Sequence, residues 1–232
     1  MKLLRYEVVT GEIRNTEGLR VGGTREAAGI GETDNPILRH PVSRLPYIPG
    51  SSLKGKLRSL LEQKYCEDTQ RTGAPCTCNK RECVVCSLFG CGDPSKKKDH
   101  EPTRIILRDA PLIKESADKL TEALPGSFAE VKTETAMDRN TGGIRERTLR
   151  PIERVPAGMR FQFQFTLRVF QEDSDRLAGY FLKLAEAFEM LEKDYLGGCG
   201  TRGCGAVEVF HESGEDKHMH DYLREKAKEL GS

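Results

Sequence analysis

The stretch CTCNKRECVVC, residues 76–86, carries four cysteines at C-x-C-x4-C-x2-C spacing. Thiolates at Cys76, Cys78, Cys83 and Cys86 are close enough along the chain to wrap one tetrahedral zinc ion. Four sulfurs close the coordination sphere and leave no position for a catalytic water. The chemistry expected is therefore structural, a zinc that pins its own segment. The competing reading is a set of unligated reduced thiols, which seldom cluster at this density. Cys66, Cys91 or His100 is near enough in sequence to replace one of the four. Cys199 and Cys204 form a separate C-x4-C pair in a glycine-rich stretch. Two ligands do not make a site, and small residues in a tight loop account for them.

A second kind of chemistry is charge recognition. In PYIPGSSLKGKLR, residues 46–58, a helix start follows two prolines and a glycine, and its first turns carry Lys54, Lys56 and Arg58. Unpaired N–H groups and the helix dipole make such a start an anion site. The same residues also fit a solvated face with Arg58 paired to Glu62 four residues on. GGCGTRGCG, residues 197–205, is a glycine-rich loop able to bring backbone close to a phosphate chain. The usual RNA-recognition strand places aromatics after its Arg-Gly, but here Cys204 and Ala206 stand there. Asp34, in Asp-Asn-Pro, reads as ordinary turn chemistry.

The 232 residues hold 37 Lys+Arg and 36 Asp+Glu, so no global field favours a polyanion and any basic surface is local. One lies between Arg139 and Arg160, where six arginines face only Glu146 and Glu153. Lys96–Lys98 reads as a solvated loop. No apolar run reaches membrane-spanning length, and the N-terminus lacks a signal-peptide core. A cytoplasmic protein with no membrane contact is expected, in which eight cysteines are not a disulfide framework.

The elements that would position these groups follow from periodicity. Residues 2–9 alternate as a strand, with a bulge expected at Gly11 before Ile13 resumes the pattern. A helix starts at Ser51 or Ser52, either able to cap it, with Leu53, Leu57, Leu60 and Leu61 as its apolar stripe. Residues 66–100 are aperiodic and read as an insertion held by metal. A strand is expected over 103–110, and a projecting Arg-rich hairpin over 131–157 about the turn Asn140–Gly143. Phe161, Phe163, Phe165, Leu167 and Val169 form one face of the clearest strand. A helix over about 175–195 carries Leu177, Phe181, Leu184, Phe188 and Leu191. A strand follows the glycine loop, and the tail from Gly214 is amphipathic at best. The order is βαββαβ with inserts, an α+β, ferredoxin-like or RRM-like core.

GETDNPILRHPVSRLPYIPGSSLKGKLRSLLEQKY, CSLFG at 86–90 and GGCGTRGCGAVEV give nearly the whole chain a family resemblance. It resembles the RAMP superfamily of CRISPR proteins and, within it, the repeated backbone subunit of the type III-A (Csm) effector complex. The resemblance implies one RAMP domain over 1–232, with the zinc insertion at 66–100, the hairpin at 131–157 as a thumb and 214–232 as a C-terminal tail. It implies further copies of the chain stacked in a filament along CRISPR RNA, beside other subunits of the complex. Lys54, Arg58 and the loop residues Gly197, Gly198, Gly200, Arg202, Gly203 and Gly205 would grip the guide. The thumb would wedge between guide and target single-stranded RNA. Asp34 would then be a catalytic residue, cleaving target RNA with Mg2+ or another divalent cation. Cys199 and Cys204 stand where the family loop more often has Ser and an aromatic. Two other readings are a non-catalytic RNA-binding scaffold and a metal-independent processor of precursor CRISPR RNA. For the latter His40 is the only histidine near the relevant loop.

Overall fold

The computed structural model describes residues 1–22, 36–93, 101–145, 148–213 and 216–231. Its centre is a four-stranded antiparallel sheet in the order β3 (Ile105–Leu107), β7 (Arg160–Phe170), β1 (Leu3–Asn15), β8 (Val207–His211). Helix α1 (Gly50–Tyr65) connects β1 to β3, and α5 (Leu177–Lys193) connects β7 to β8. That is the expected βαββαβ core. The two helices cover one face. Phe161, Phe163, Phe165, Leu167 and Val169 of β7 are buried against the leucines of α1 and the stripe of α5. The Phe188 ring lies 5.5 Å from Phe163 and 6.1 Å from Phe165. Each such side chain contributes about 1.5–3 kcal/mol by leaving water.

Strand β1 runs straight through Gly11, so the bulge expected there is absent. Gly11 stays in register opposite Phe163 on one side and His211 on the other, and the irregularity lies between Leu3 and Arg5. Glycine is needed for a different reason: a Cβ would sit 2.1 Å from the Phe210 carbonyl oxygen. The buried face of β1 is Val9, Gly11, Ile13 and Asn15, whereas Leu4, Tyr6 and Val8 are exposed on the other.

The strand expected over 103–110 is shorter. It ends at Leu107, and β4 (Ala110–Pro111) turns away to pair with β2 (Tyr47–Ile48) just before α1. Helix α4 (Lys114–Ala123) follows. The aperiodic insertion contains two short helices, α2 (Glu67–Thr72) and α3 (Val84–Phe89). The hairpin forms as expected from β5 (Glu130–Glu134) and β6 (Arg150–Arg154), in register from Glu130 opposite Arg154 to Glu134 opposite Arg150. The tail is more regular than its sequence suggested. Helix α6 (Met219–Gly231) buries Met219, Leu223 and Ala227, four residues apart, and packs against α5 and β8. No helix among the described residues is long and apolar enough to cross a membrane.

Among the described residues, one ion pair lies wholly inside. Arg104 and Asp173 are both fully buried, with Nε–Oδ2 at 3.2 Å and Nη2–Oδ1 at 2.9 Å. Glu101 approaches Arg104 at 2.7 Å, and Asp173 accepts from the Phe170 N–H and the Tyr180 hydroxyl. Asp173→Ala would leave the guanidinium with one partner fewer and two orphaned donors. It is expected to lower unfolding free energy by about 3 kcal/mol in urea titration. A loss below about 1 kcal/mol would show that Glu101 compensates.

Candidate metal centre and nucleic-acid interface

The four cysteines singled out by spacing come together. Cys76 Sγ lies 3.4 Å from Cys78, 4.0 Å from Cys83 and 3.7 Å from Cys86, and Cys78 lies 3.7 Å from Cys86. A tetrahedron with Zn–S bonds of about 2.3 Å has edges of about 3.8 Å. The insertion positions them locally. Cys83 precedes α3, Cys86 sits within it, and the Cys76 carbonyl accepts the Gly92 N–H at 3.0 Å. Their electrostatics also call for a cation. The hydrogen bond from Cys86 holds the Cys83 thiol down to about 4. That same bond, then burial, pushes Cys86 up, and burial pushes Cys78 up to about 11. The Cys83 thiolate is thus held beside thiols, Cys78 and Cys86, that resist ionising, and a dication among the sulfurs would offset that cost. The donor set fits zinc. Cys66 is buried next to Cys76 but is not one of the four, nor is Cys91. His100 lies outside the described residues.

The start of α1 is built differently from the expectation. The helix begins at Gly50 with Pro49 as its N-cap and no side-chain cap, so Ser51 and Ser52 fall inside the first turn. The Gly50 N–H donates to Asp109 Oδ1 at 2.8 Å, and a Cβ at Gly50 would meet the 107–108 backbone within 3 Å. The chain supplies its own anion from 59 residues downstream, a tertiary contact that no local pattern reveals.

The three cations of α1 then differ. Lys56 pairs with Asp194 at 2.8 Å and lies over the Tyr195 ring. Arg58 pairs with Glu62 at 2.7 Å and donates to the Cys76 carbonyl at 3.2 Å, while Glu62 accepts the Cys76 N–H at 2.8 Å. Arg58 therefore ties the helix to the cysteine cluster. Lys54 has no carboxylate partner among the described residues. It lines a groove with Gly50, Ser51, Thr103, Ile106 and Arg168. Burial, then the charges of Arg58 and Arg168, push its ammonium pKa down. An anion in the groove would relieve that repulsion. Arg168 alternates with the buried Leu167 and Val169 of β7, and its guanidinium donates to the Thr103 carbonyl. Its Nε is buried with no hydrogen-bond partner among the described residues.

The glycine loop packs on the segment after β1. Gly198 N–H donates to the Arg20 carbonyl at 2.8 Å and Gly205 N–H to the Gly18 carbonyl at 3.0 Å. A Cβ at Gly197 would lie 2.1 Å from the Arg20 oxygen, and one at Gly200 would enter the Tyr195 ring. Gly203 adopts φ of 76° with open space around it. Arg202 pairs with Glu134 of β5 at 2.8 Å, and Lys132 donates to its carbonyl, so loop and hairpin are joined. Cys199 accepts hydrogen bonds from Arg20 and Arg202, and Cys204 is buried near Arg154. The hairpin exposes Val131, Met137, Ile144 and Leu149.

Asp34 lies outside the described residues. Gly22 and Ile37, on either side of its segment, form a β-bridge. The Ile37 N–H donates to Glu153 of β6 at 3.1 Å, and Arg39 pairs with the same carboxylate at 3.0 Å. His40 Nδ1 accepts the Val42 and Ser43 N–H groups at 3.3 Å, which makes it a turn former.

Known proteins are similar to this chain in sequence and fold. Residues 13–208 match the RAMP superfamily. The CRISPR system Cms endoribonuclease Csm3 of Methanothermobacter thermautotrophicus is 39% identical over 222 residues, covering 90% of this chain and 85% of its own. The protein of the same name from Methanocaldococcus jannaschii is 40% identical over 204 residues, covering 87% and 77%. That of Streptococcus thermophilus is 36% identical over 196, covering 84% and 83%. Among solved structures, a chain of the Csm3–Csm4 subcomplex in the type III-A CRISPR-Cas interference complex superposes with TM-score 0.60 at 24% identity, over 99% of this chain and 98% of that one. Methanopyrus kandleri Csm3 gives 0.56 at 23%, over 89% and 77%. A ferredoxin-like core elaborated between its strands is the class of fold that these structures share. The chain belongs to the RAMP superfamily and, within it, to the Csm3 family of CRISPR-system endoribonucleases.

Proposed function

We propose that this chain is the guide-binding backbone subunit of a type III-A effector complex and that it cuts RNA paired to the guide. The observation that carries the reading is the groove beside α1, where Lys54 and Arg168 face each other without a carboxylate between them among the described residues. A guide phosphate is the anion such a groove lacks. The glycine loop is held against residues 18–20 and joined to the hairpin, which fits a continuous track for a backbone. The exposed apolar residues of the hairpin suit a wedge between bases, and pairing rather than the protein would read sequence. Copies of the chain along the guide, target RNA and other subunits of the complex are the partners implied. Zinc in the cysteine cluster is structural.

For the cut, the RNA supplies its own nucleophile, the 2′-hydroxyl beside the scissile phosphate. The chain's part is to hold that backbone in line and to place Asp34 beside it. Ile37, three residues after Asp34, is tied through Glu153 to the hairpin, so segment and wedge share a support. Glu153 is committed to Arg39, and Asp34 is the carboxylate that the family resemblance assigns to a divalent cation. One carboxylate plus a substrate phosphate is a common Mg2+ environment, and the ion would stabilise charge on the phosphate.

The groove is tested by Lys54→Gln in the assembled complex. Guide affinity should fall about tenfold at moderate salt, and the slope of log affinity against log salt should flatten by about one unit. Unchanged affinity with an unchanged slope would remove the groove from the guide path. The precursor-processing reading gains nothing from His40, whose Nδ1 closes its own turn.

A further inference from the structure

Away from the cysteine cluster and the groove, α5, β8 and α6 bring one carboxylate and two imidazoles together. Glu192 is in the last turn of α5, His218 lies just before α6, and His220 is in its first turn. Their ligand atoms all fall within 4.8 Å of one another. His218 Nδ1 is 3.1 Å from Glu192 Oε1, and His220 Nδ1 is 3.2 Å from Glu192 Oε2. We propose that Glu192, His218 and His220 form a second transition-metal site, most suited to Zn2+, that clamps the C-terminal helix to the core.

Hydrogen bonding accounts for only part of the cluster, the contact between His218 Nδ1 and Glu192 Oε1. Glu192 Oε1 already accepts the Val209 N–H at 2.8 Å. His220 Nδ1 is buried and makes no hydrogen bond among the described residues, although it faces a carboxylate. A lone pair aimed at a shared cation would account for the unpaired His220 Nδ1. Ligand atoms bound at about 2.0–2.1 Å in a tetrahedron lie about 3.3 Å apart, and each imidazole stands at about that distance from one of the two Glu192 oxygens. The outer partner is also present: Asp221 Oδ2 lies 3.6 Å from His220 Nε2. A carboxylate there favours the proton on Nε2 and leaves Nδ1 free to ligate. Asp221 is itself approached by Arg224 at 3.5 Å.

The supports are rigid. A β-bridge joins Phe210 to His218, the Lys217 carbonyl accepts the His211 N–H at 2.8 Å, and the Phe210 ring packs 4.8 Å from the His218 ring. Two imidazoles and a carboxylate leave a fourth position for water. This donor set suits a borderline dication such as Zn2+, whereas Mg2+ and Ca2+ prefer oxygen.

The test uses the full chain dialysed against micromolar Zn2+, with metal measured by elemental analysis. Wild type should hold two zinc ions per chain, and His220→Gln and Glu192→Gln should each hold one. Glu192→Gln keeps a carbonyl oxygen for the Val209 N–H, so it separates metal loss from misfolding. Asp221→Asn should retain the second ion with about tenfold weaker affinity. With Co2+, the second equivalent should add ligand-field absorption without thiolate charge transfer, which marks it as distinct from the cysteine site. One zinc per wild-type chain at saturation would overturn the proposal. So would a second ion that survives both glutamine substitutions with its affinity unchanged.

Discussion

Asp34→Ala should abolish target cleavage while the complex still assembles on its guide and holds its target. A loss of about a hundredfold or more is expected, the scale of a positioned acid–base group. Binding should not fall, because the substitution removes negative charge from beside a phosphate backbone. Asp34→Asn should fail nearly as badly, since a neutral amide is a poor Mg2+ ligand and no base. Single-turnover cleavage of a guide-complementary RNA, with and without Mg2+, measures this directly, and a gel-shift assay reports binding separately. Cleavage at the wild-type rate in Asp34→Ala would make Asp34 the turn former that Asp-Asn-Pro suggests. Loss of target binding together with cleavage would point instead to a structural role for its segment.

Much of the fold was legible because its longest elements obey simple periods. The stripe of Leu53, Leu57, Leu60 and Leu61 and the alternation from Phe161 to Val169 each state a face, and the structure buries those faces against each other. Helix α6 escaped notice because Met219, Leu223 and Ala227 are a thin stripe amid charged neighbours, and two of the three are not strongly hydrophobic. The order of strands followed from connectivity, but the parity of β1 did not. Leu4, Tyr6 and Val8 look as apolar as Val9 and Ile13, and only pairing with β7 decides which set is buried.

The cysteine cluster was legible because its ligands are adjacent in sequence. Of the charge chemistry only the local Arg58–Glu62 pair was, since the other answers come from far along the chain. Asp109 satisfies the start of α1, Arg168 rather than Arg58 shares a groove with Lys54, and Asp194 takes Lys56. Glycine gave a true signal with a different cause. Gly197, Gly200 and Gly205 are dictated by close approach to Arg20, Tyr195 and Leu196. That packing shapes the loop whether or not RNA lies on it.

Cys83→Ser should cost the protein its cysteine-bound zinc and on the order of 5 kcal/mol of stability. Isolated zinc-finger peptides gain at least about 10 kcal/mol from metal. The loss here should be smaller, because α3 still packs Val85, Leu88 and Phe89 into the main core without it. It should nevertheless reach α1. Cys76 and Cys86 belong to the same core as Leu57 and Leu61, and the Cys76 backbone is held by Glu62 and Arg58. Without a cation, Cys86 and Cys78 stay protonated around the Cys83 thiolate, and nothing fixes the four sulfurs in a tetrahedron. Serine nearly preserves volume, so the effect isolates ligation from cavity formation. Urea denaturation should show a lowered midpoint, hydrogen exchange should quicken at the C-terminal end of α1, and elemental analysis should find one zinc fewer per chain. A Cys83→Ser protein that keeps its zinc content and its urea midpoint would show that the four cysteines are packed thiols rather than ligands.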